Sequence, residues 1–245
     1  MNSSDTITII VPVFNEEENL GKFRSEMDKF LDKVNISTTV LFVNDGSRDN
    51  SHKIISDICA ADNRYSFILL DANYGLSTGI KAGISACETS LVGYIDSDLQ
   101  TSPLDFMKFL DFFPEVDMVN GIRARRQDKF VKKISSKIAN SFRRMMIHDN
   151  IQDTCCPLKI IKTDFAKKIP FFCGMHRFLP ALIQLQGGRV KQVPVSHFPR
   201  YAGQAKYHLW NRLTSPFFDT LAFRWMRSRY IRYNISQTWS NRKSE

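Results

Sequence analysis

Leu91-Val92-Gly93-Tyr94-Ile95-Asp96-Ser97-Asp98-Leu99-Gln100 is a short apolar run that ends in acid–x–acid–x–amide. The apolar half reads as a buried strand and the polar half as the loop at its carboxyl end. In an extended segment residues i, i+2 and i+4 point the same way, so Asp96, Asp98 and Gln100 are expected to present three oxygens on one side. Hard oxygen ligands suit Mg2+ or Mn2+. Two carboxylates do not make a closed cage; they suit a metal completed by water and a substrate phosphate. A bare D-x-D is just as often a solvated turn, and its neighbours decide.

The neighbours are strands and helices in alternation. Upstream, Thr6 to Phe14 is strand-like, and Glu16 to Leu31 follows with helical spacing at Leu20, Phe23, Met27, Phe30 and Leu31. Thr38 to Val43 and Phe67 to Leu70 read as strands, and Ser51 to Ala60 and Leu76 to Cys87 as helices. Downstream, Pro103 opens a further helix, because proline is favoured in a first turn, and Val116 to Val119 is a short strand. This order predicts an α/β fold with a mostly parallel central sheet and helices on both faces. No G-x-G-x-x-G occurs, which argues against a dinucleotide fold of the usual kind.

After residue 120 the pattern changes. Phe130, Ile134, Ile138 and Phe142 recur every four residues, one apolar helical stripe with Lys132 and Ser136 on roughly the other side. A helix is expected over 176–187. Val190 to Phe198 is extended, and Pro194 places it at an edge. From about Leu209 to Tyr233 aromatic residues alternate with arginines, predicting C-terminal amphipathic helices. The expected division is a catalytic domain over 1–212 and a membrane-surface helix and tail over 213–245.

The net charge of +9 is uneven. Residues 121–147 carry a balance of +8 and residues 200–245 one of +7, which leaves the remainder at −6. A mildly acidic body with two basic segments points to local anionic partners: phosphate ligands, an anionic membrane surface or nucleic acid. Nucleic acid is the weakest of these, since no nucleic-acid motif accompanies the charge. No run is long and apolar enough to span a bilayer. Met1 to Asp5 is polar and the first apolar run reads as a strand instead of a leader, so a cytoplasmic chain is expected. Five cysteines without metal-ligand spacing read as reduced thiols.

Two more polar clusters end strands of the same sheet. Val11-Pro12-Val13-Phe14-Asn15-Glu16-Glu17-Glu18-Asn19 closes the first, where Asn15 reads as a helix cap and Glu17 and Glu18 as acids at the positive helix end. Asn44-Asp45-Gly46-Ser47 closes the second, and alone is a turn. These two clusters and Asp96–Gln100, in this order and spacing, resemble glycosyltransferase family 2. Asp153-Thr154-Cys155-Cys156-Pro157-Leu158-Lys159, Met175-His176-Arg177-Phe178-Leu179-Pro180 and His197-Phe198-Pro199-Arg200-Tyr201-Ala202-Gly203-Gln204-Ala205-Lys206-Tyr207 extend the resemblance toward the dolichyl- and polyprenyl-phosphate sugar transferases, over about residues 6–212.

The resemblance implies a GT-A fold and a metal-dependent, inverting transfer. The donor is a nucleotide sugar such as GDP-mannose or a UDP-hexose. The acceptor is a dolichyl or undecaprenyl phosphate, at the cytoplasmic face of a membrane. It places Pro12, Glu16 and Asp45 around the nucleoside, and Asp96, Asp98 and Gln100 on Mg2+ or Mn2+. Arg123, Lys132 and Ser136 fall to the acceptor phosphate, and Arg200 and Lys206 to the donor phosphates, with Asp98 and Arg123 at the reacting centre. Three positions depart from the family pattern: Lys132 where arginine is common, Ala205 where a serine is usual, and Asn44 where an acid is common. A membrane-protein partner or a second copy of the chain remains open. The rivals are a same-fold transferase acting on a hydroxyl and a basic nucleic-acid-binding module. His176 and His197 read as structural, helping to orient the neighbouring arginines.

Overall fold

The computed structural model describes residues 5–113, 115–123, 145–147, 149–201, 214–231 and 236–237, with the side chains of 214–216 left aside. Strands β1 (Thr6–Val13), β2 (Ser37–Asn44) and β3 (Tyr65–Leu69) alternate with helices α1 (Glu17–Leu31), α2 (Ser51–Ala61) and α3 (Leu76–Ala86). Then come β4 (Leu91–Tyr94), a 3-10 turn at Pro103–Phe106 running into α4 (Met107–Leu110), and β5 (Met118–Arg123). The last part holds β6 (Lys159–Lys162), α5 (Thr163–Lys167), a 3-10 turn at Met175–Arg177, α6 (Leu179–Leu185), β7 (Val190–Val195) and α7 (Thr214–Arg229).

The seven strands form one sheet in the order β3-β2-β1-β4-β6-β5-β7. All pairings are parallel except those of β6, which runs antiparallel to both β4 and β5. Alternation along the strands sends side chains to two cores. Ile7, Ile9, Val11, Val13 and Phe42 meet Phe23, Met27 and Phe30 of α1 and Phe106 on one face. Ile10, Leu41, Val92 and Tyr94 meet Ile80, Leu182 and Phe223 of α3, α6 and α7 on the other. Helices cover both faces, as a parallel sheet requires.

Several expectations hold in detail. Ser102 accepts from the Leu104 N–H and Pro103 follows it, so the proline opens a capped turn. Among the described residues β7 pairs with β5 alone, which leaves Pro194 on an edge strand, where proline is tolerated. Others need correction. Asn15 does not cap α1. It has φ 51°, its Oδ1 accepts from Arg48 N–H, and Glu16 stands at the N-cap. The helix expected over 176–187 is divided into the 3-10 turn and α6. β6 was not anticipated. The amphipathic helix expected around Phe130 to Phe142 lies outside the described residues.

Candidate active site

The crevice opens where β1 lies between strands reached in opposite directions, β2 on one side and β4 on the other. The last bond of the β1–β4 ladder runs from Ile95 N–H to the Ile10 carbonyl. Pro12 has no N–H with which to continue it. Past that point the two strands part, and a cleft of about 320 Å³ lies beyond their carboxyl ends. Its walls include Pro12, Glu16, Asp45, Asp96, Asp98 and Arg200, six of the residues singled out from sequence.

The loops around the cleft are stitched together by polar side chains. The N–H groups of Asn15 and Glu16 donate to the hydroxyls of Ser47 and Ser51, tying the end of β1 to the turn after β2. Asp45 accepts from the Tyr74 and Gly75 N–H groups at 2.8 and 2.7 Å, one to each carboxylate oxygen. It therefore pins the start of α3 to the cleft floor. Gly46 sits at φ +65°, and a Cβ there would lie 2.5 Å from the Ala72 carbonyl carbon. Only glycine combines that conformation with that approach. Asn44, fully buried, accepts from Ser47 N–H, so its visible work is within the turn.

The acidic pair is set differently from the extended arrangement expected of it. β4 stops at Tyr94, Asp96 to Gln100 form a turn, and Leu99 lies at φ 57°. Asp96, Ser97 and Asp98 line the cleft. At Gln100 the backbone N–H donates to Asp98 Oδ1 and the carbonyl accepts from Phe198 N–H. The two-residue alternation fails because the left-handed residue at 99 reverses the direction of the chain.

Electrostatics single out Asp96. Burial, then the neighbouring Asp98 charge, push its carboxyl up to about 6. The Tyr94 hydroxyl, donating to Asp96 Oδ1 at 2.6 Å, opposes the rise, as do Lys159 and Arg123. Lys159 is buried behind the pair, donating to the Cys156 carbonyl with its ammonium 5.9 Å from the Tyr94 ring centre. On the cleft side Arg200 reaches Asp98 Oδ2 at 3.0 Å. Two crowded carboxylates, their mutual repulsion offset only in part by these neighbours, fit a divalent cation. Among the described residues no cluster of three or more His, Cys, Asp or Glu could close a cage around one.

Arg123, expected at the acceptor phosphate, is held by Asp153. Its Nε and Nη2 donate to the two Asp153 oxygens, each at 2.8 Å, and its N–H also donates to Asp153. This bidentate pair locks the end of β5 to the segment before Cys155. Lys132, Ser136, Ala205 and Lys206 lie outside the described residues. His176 is held by the Ser77 hydroxyl at 2.9 Å, and burial drives its pKa down to about 3. It is a neutral structural group. Arg177 beside it pairs with Asp219 of α7 at 2.9 Å.

Sequence reading missed Tyr94, Lys159 and Asp153 as site residues. Tyr94 was legible: it stands two residues before Asp96 on the same side of the strand. Lys159 and Asp153 were not, because their approach depends on β6 returning antiparallel between β4 and β5.

The glycosyl transferase family 2 profile matches residues 8–170. The chain is 28% identical over 215 residues to an undecaprenyl-phosphate 4-deoxy-4-formamido-L-arabinose transferase of Aeromonas hydrophila subsp. hydrophila, over 85% of this chain and 65% of that protein. It thus spans just under two thirds of that relative's length. Its fold is similar to that of Mycobacterium tuberculosis glucosyl-3-phosphoglycerate synthase in complex with Mn2+ and UDP-glucose, with a TM-score of 0.66 at 15% identity, over 90% of this chain and 79% of that one. Rubrobacter xylanophilus mannosyl-3-phosphoglycerate synthase aligns with a TM-score of 0.65 at 16% identity, over 96% and 77%. The sheet and its flanking helices are GT-A-like.

Proposed function

The chain belongs to glycosyl transferase family 2, and from that membership we propose that it moves a sugar from a nucleotide-sugar donor to a polyprenyl phosphate at a membrane surface. The observation that carries this reading is the open acidic pair, Asp96 and Asp98, in a switch-point cleft that also contains Arg200. The acceptor class is supported by the relative named for undecaprenyl phosphate. GDP-mannose and UDP-hexoses are the donor candidates.

Pro12 and Glu16 would border the nucleoside, with Asp45 holding the wall behind it. Asp96 and Asp98 would hold Mg2+ or Mn2+, which supplies charge neutralisation for a leaving diphosphate. Arg200 and Lys206 would add positive charge to that same group. Arg123, Lys132 and Ser136 are the acceptor-phosphate residues in this reading, Arg123 fixed in place by Asp153. An acceptor phosphate oxygen forms the new bond to the anomeric carbon on the face opposite the breaking bond to the diphosphate, which inverts the centre. A phosphate monoester has a second pKa of about 6 and arrives largely ionised, so no side chain need take a proton. His176 is held neutral by burial.

The membrane part of the reading rests on α7. Phe223 is 1% exposed and stacks on Phe178, with ring centres 5.4 Å apart, so one face belongs to the core. The opposite face presents Phe217, Phe218, Leu221 and Trp225, all exposed, with Arg224 and Arg229 along its margins. No described helix is long and apolar enough to cross a membrane. Rings in the acyl boundary with guanidinium groups at headgroup level fit an in-plane position on the cytoplasmic face.

The test measures release of nucleoside diphosphate from a panel of nucleotide sugars, with a short polyprenyl phosphate or the matching free polyprenol as acceptor. Release is expected to rise with the phosphate only. Equal stimulation by the alcohol would replace this reading with a hydroxyl-directed transferase.

A further inference from the structure

In the cleft Asp98 is paired with a cation from the chain itself. Arg200 Nη2 lies 3.0 Å from Asp98 Oδ2, with the arginine side chain 33% exposed and the aspartate side chain 11%. The other oxygen, Oδ1, accepts the Gln100 N–H within the turn. Oδ2 is thus the oxygen that a guanidinium and a divalent cation would both seek.

The stem carrying Arg200 is fixed. Ser196 N–H donates to Asp105 Oδ2 at 2.7 Å, and Phe198 N–H donates to the Gln100 carbonyl at 3.0 Å. Asp105 is itself buried. The second anchor is only two residues before Arg200, and it grips the same turn that holds Asp98. Tyr201, the next residue, is 62% exposed. A long side chain on a fixed stem can leave Asp98 by rotation about its own bonds, without moving the backbone.

We infer that Arg200 is a displaceable latch: it holds Asp98 in the ligand-free protein, and a divalent cation at Oδ2 releases it toward the donor diphosphate. The inference rests on the proposed metal role of Asp98. Like charges repel at one carboxylate oxygen, so cation and guanidinium compete for it. A cation alone must break the ion pair. A cation arriving with a diphosphate gives the freed arginine a new anionic partner. The latch therefore makes cation and nucleoside diphosphate bind cooperatively, and each must strengthen the other by the same factor.

The test titrates Mn2+ alone by electron paramagnetic resonance into the wild-type chain and Arg200→Gln, then repeats both titrations with a nucleoside diphosphate present. The variant should bind Mn2+ alone about fivefold more tightly, because a partly exposed ion pair no longer opposes it. The strengthening of Mn2+ binding by the nucleotide should shrink by at least as much. A second readout uses the wild type only. Trypsin cleavage after Arg200, followed by mass spectrometry of the peptide it ends, should quicken with Mn2+ and slow when nucleotide is added. Equal or weaker Mn2+ binding by the variant, or cleavage indifferent to Mn2+, overturns the latch and leaves the metal site standing. Failure of the wild type to bind Mn2+ with or without nucleotide overturns the metal reading and the latch with it.

Discussion

Asp96 ionises against its surroundings. With its carboxyl pushed up to about 6, the fold favours the protonated form. In the ligand-free chain this group therefore adds stability below the ordinary aspartate range, and that contribution is lost as the pH climbs through about 6. A metal requires the ionised form, so the sign reverses for binding. Mn2+ affinity should rise with pH up to about 6, releasing close to one proton per ion, and level off above. Titration calorimetry in buffers of different ionisation enthalpy measures that proton directly; a flat profile would remove Asp96 from the metal shell. Tyr94→Phe should lower the affinity about tenfold, the usual effect of losing a partner that orients a ligand. At this scale the sequence was readable wherever a residue's role depends on its strand. Asp96 and Asp98 were visible from their spacing at a strand end. The side-by-side placing of Gln100 was not, because it assumed an extended chain through Leu99.

At the scale of elements, β1 to β5 and α1 to α3 were legible because the strands are short apolar runs bounded by polar turns and the helices space their apolar residues three and four apart. β6 was not: Lys-Ile-Ile-Lys is four residues long, and nothing local marks it as a strand running antiparallel to both its neighbours. Its lysines look solvated in sequence, yet Lys159 is buried beneath Tyr94. The 3-10 turn at Met175–Arg177 is another junction that sequence leaves open. Gly174 N–H donates to Ser77, and at φ +87° its missing Cβ leaves room for Asp219 Oδ2. One short segment thus joins α3 to α7. Its histidine gives a prediction about stability. His176 is held down to about 3, so its contribution is complete above the ordinary histidine range and declines as the pH falls from about 6.5 toward 3. Urea melts across that window should show the wild type losing more stability than His176→Gln. Equal losses would mean that this imidazole takes up its proton freely in the folded chain.

For the whole molecule, α7 joins the catalytic body to whatever lies outside it. The sequence offered two fates for this helix, core packing or membrane contact; one face packs on the core and the other is exposed. Phe223 with Thr220 faces the core, Asp219 pairs with Arg177, and Arg227 donates to the Ile147 carbonyl. Phe223→Ala should cost about 3–5 kcal/mol of stability, as large-to-small changes of a buried ring do. Trp225→Ala, at a residue 67% exposed, should leave the melting curve nearly unchanged. Only the second should weaken flotation with anionic vesicles while leaving the fold intact. If Trp225→Ala floats as well as wild type, the outward face of α7 is not the membrane contact.

The central claim is that the cleft forms a bond between a sugar and a lipid phosphate. The most direct measurement is the intact mass of the lipid recovered after incubating the chain with donor, divalent cation and a short polyprenyl phosphate. The account predicts a lipid heavier by one anhydro-sugar, attached through an acid-labile glycosyl phosphate. That product should be absent with excess chelator and with Asp98→Ala, while the variant's circular dichroism matches wild type. A lipid of unchanged mass with every donor tested, or full product from Asp98→Ala, would contradict it.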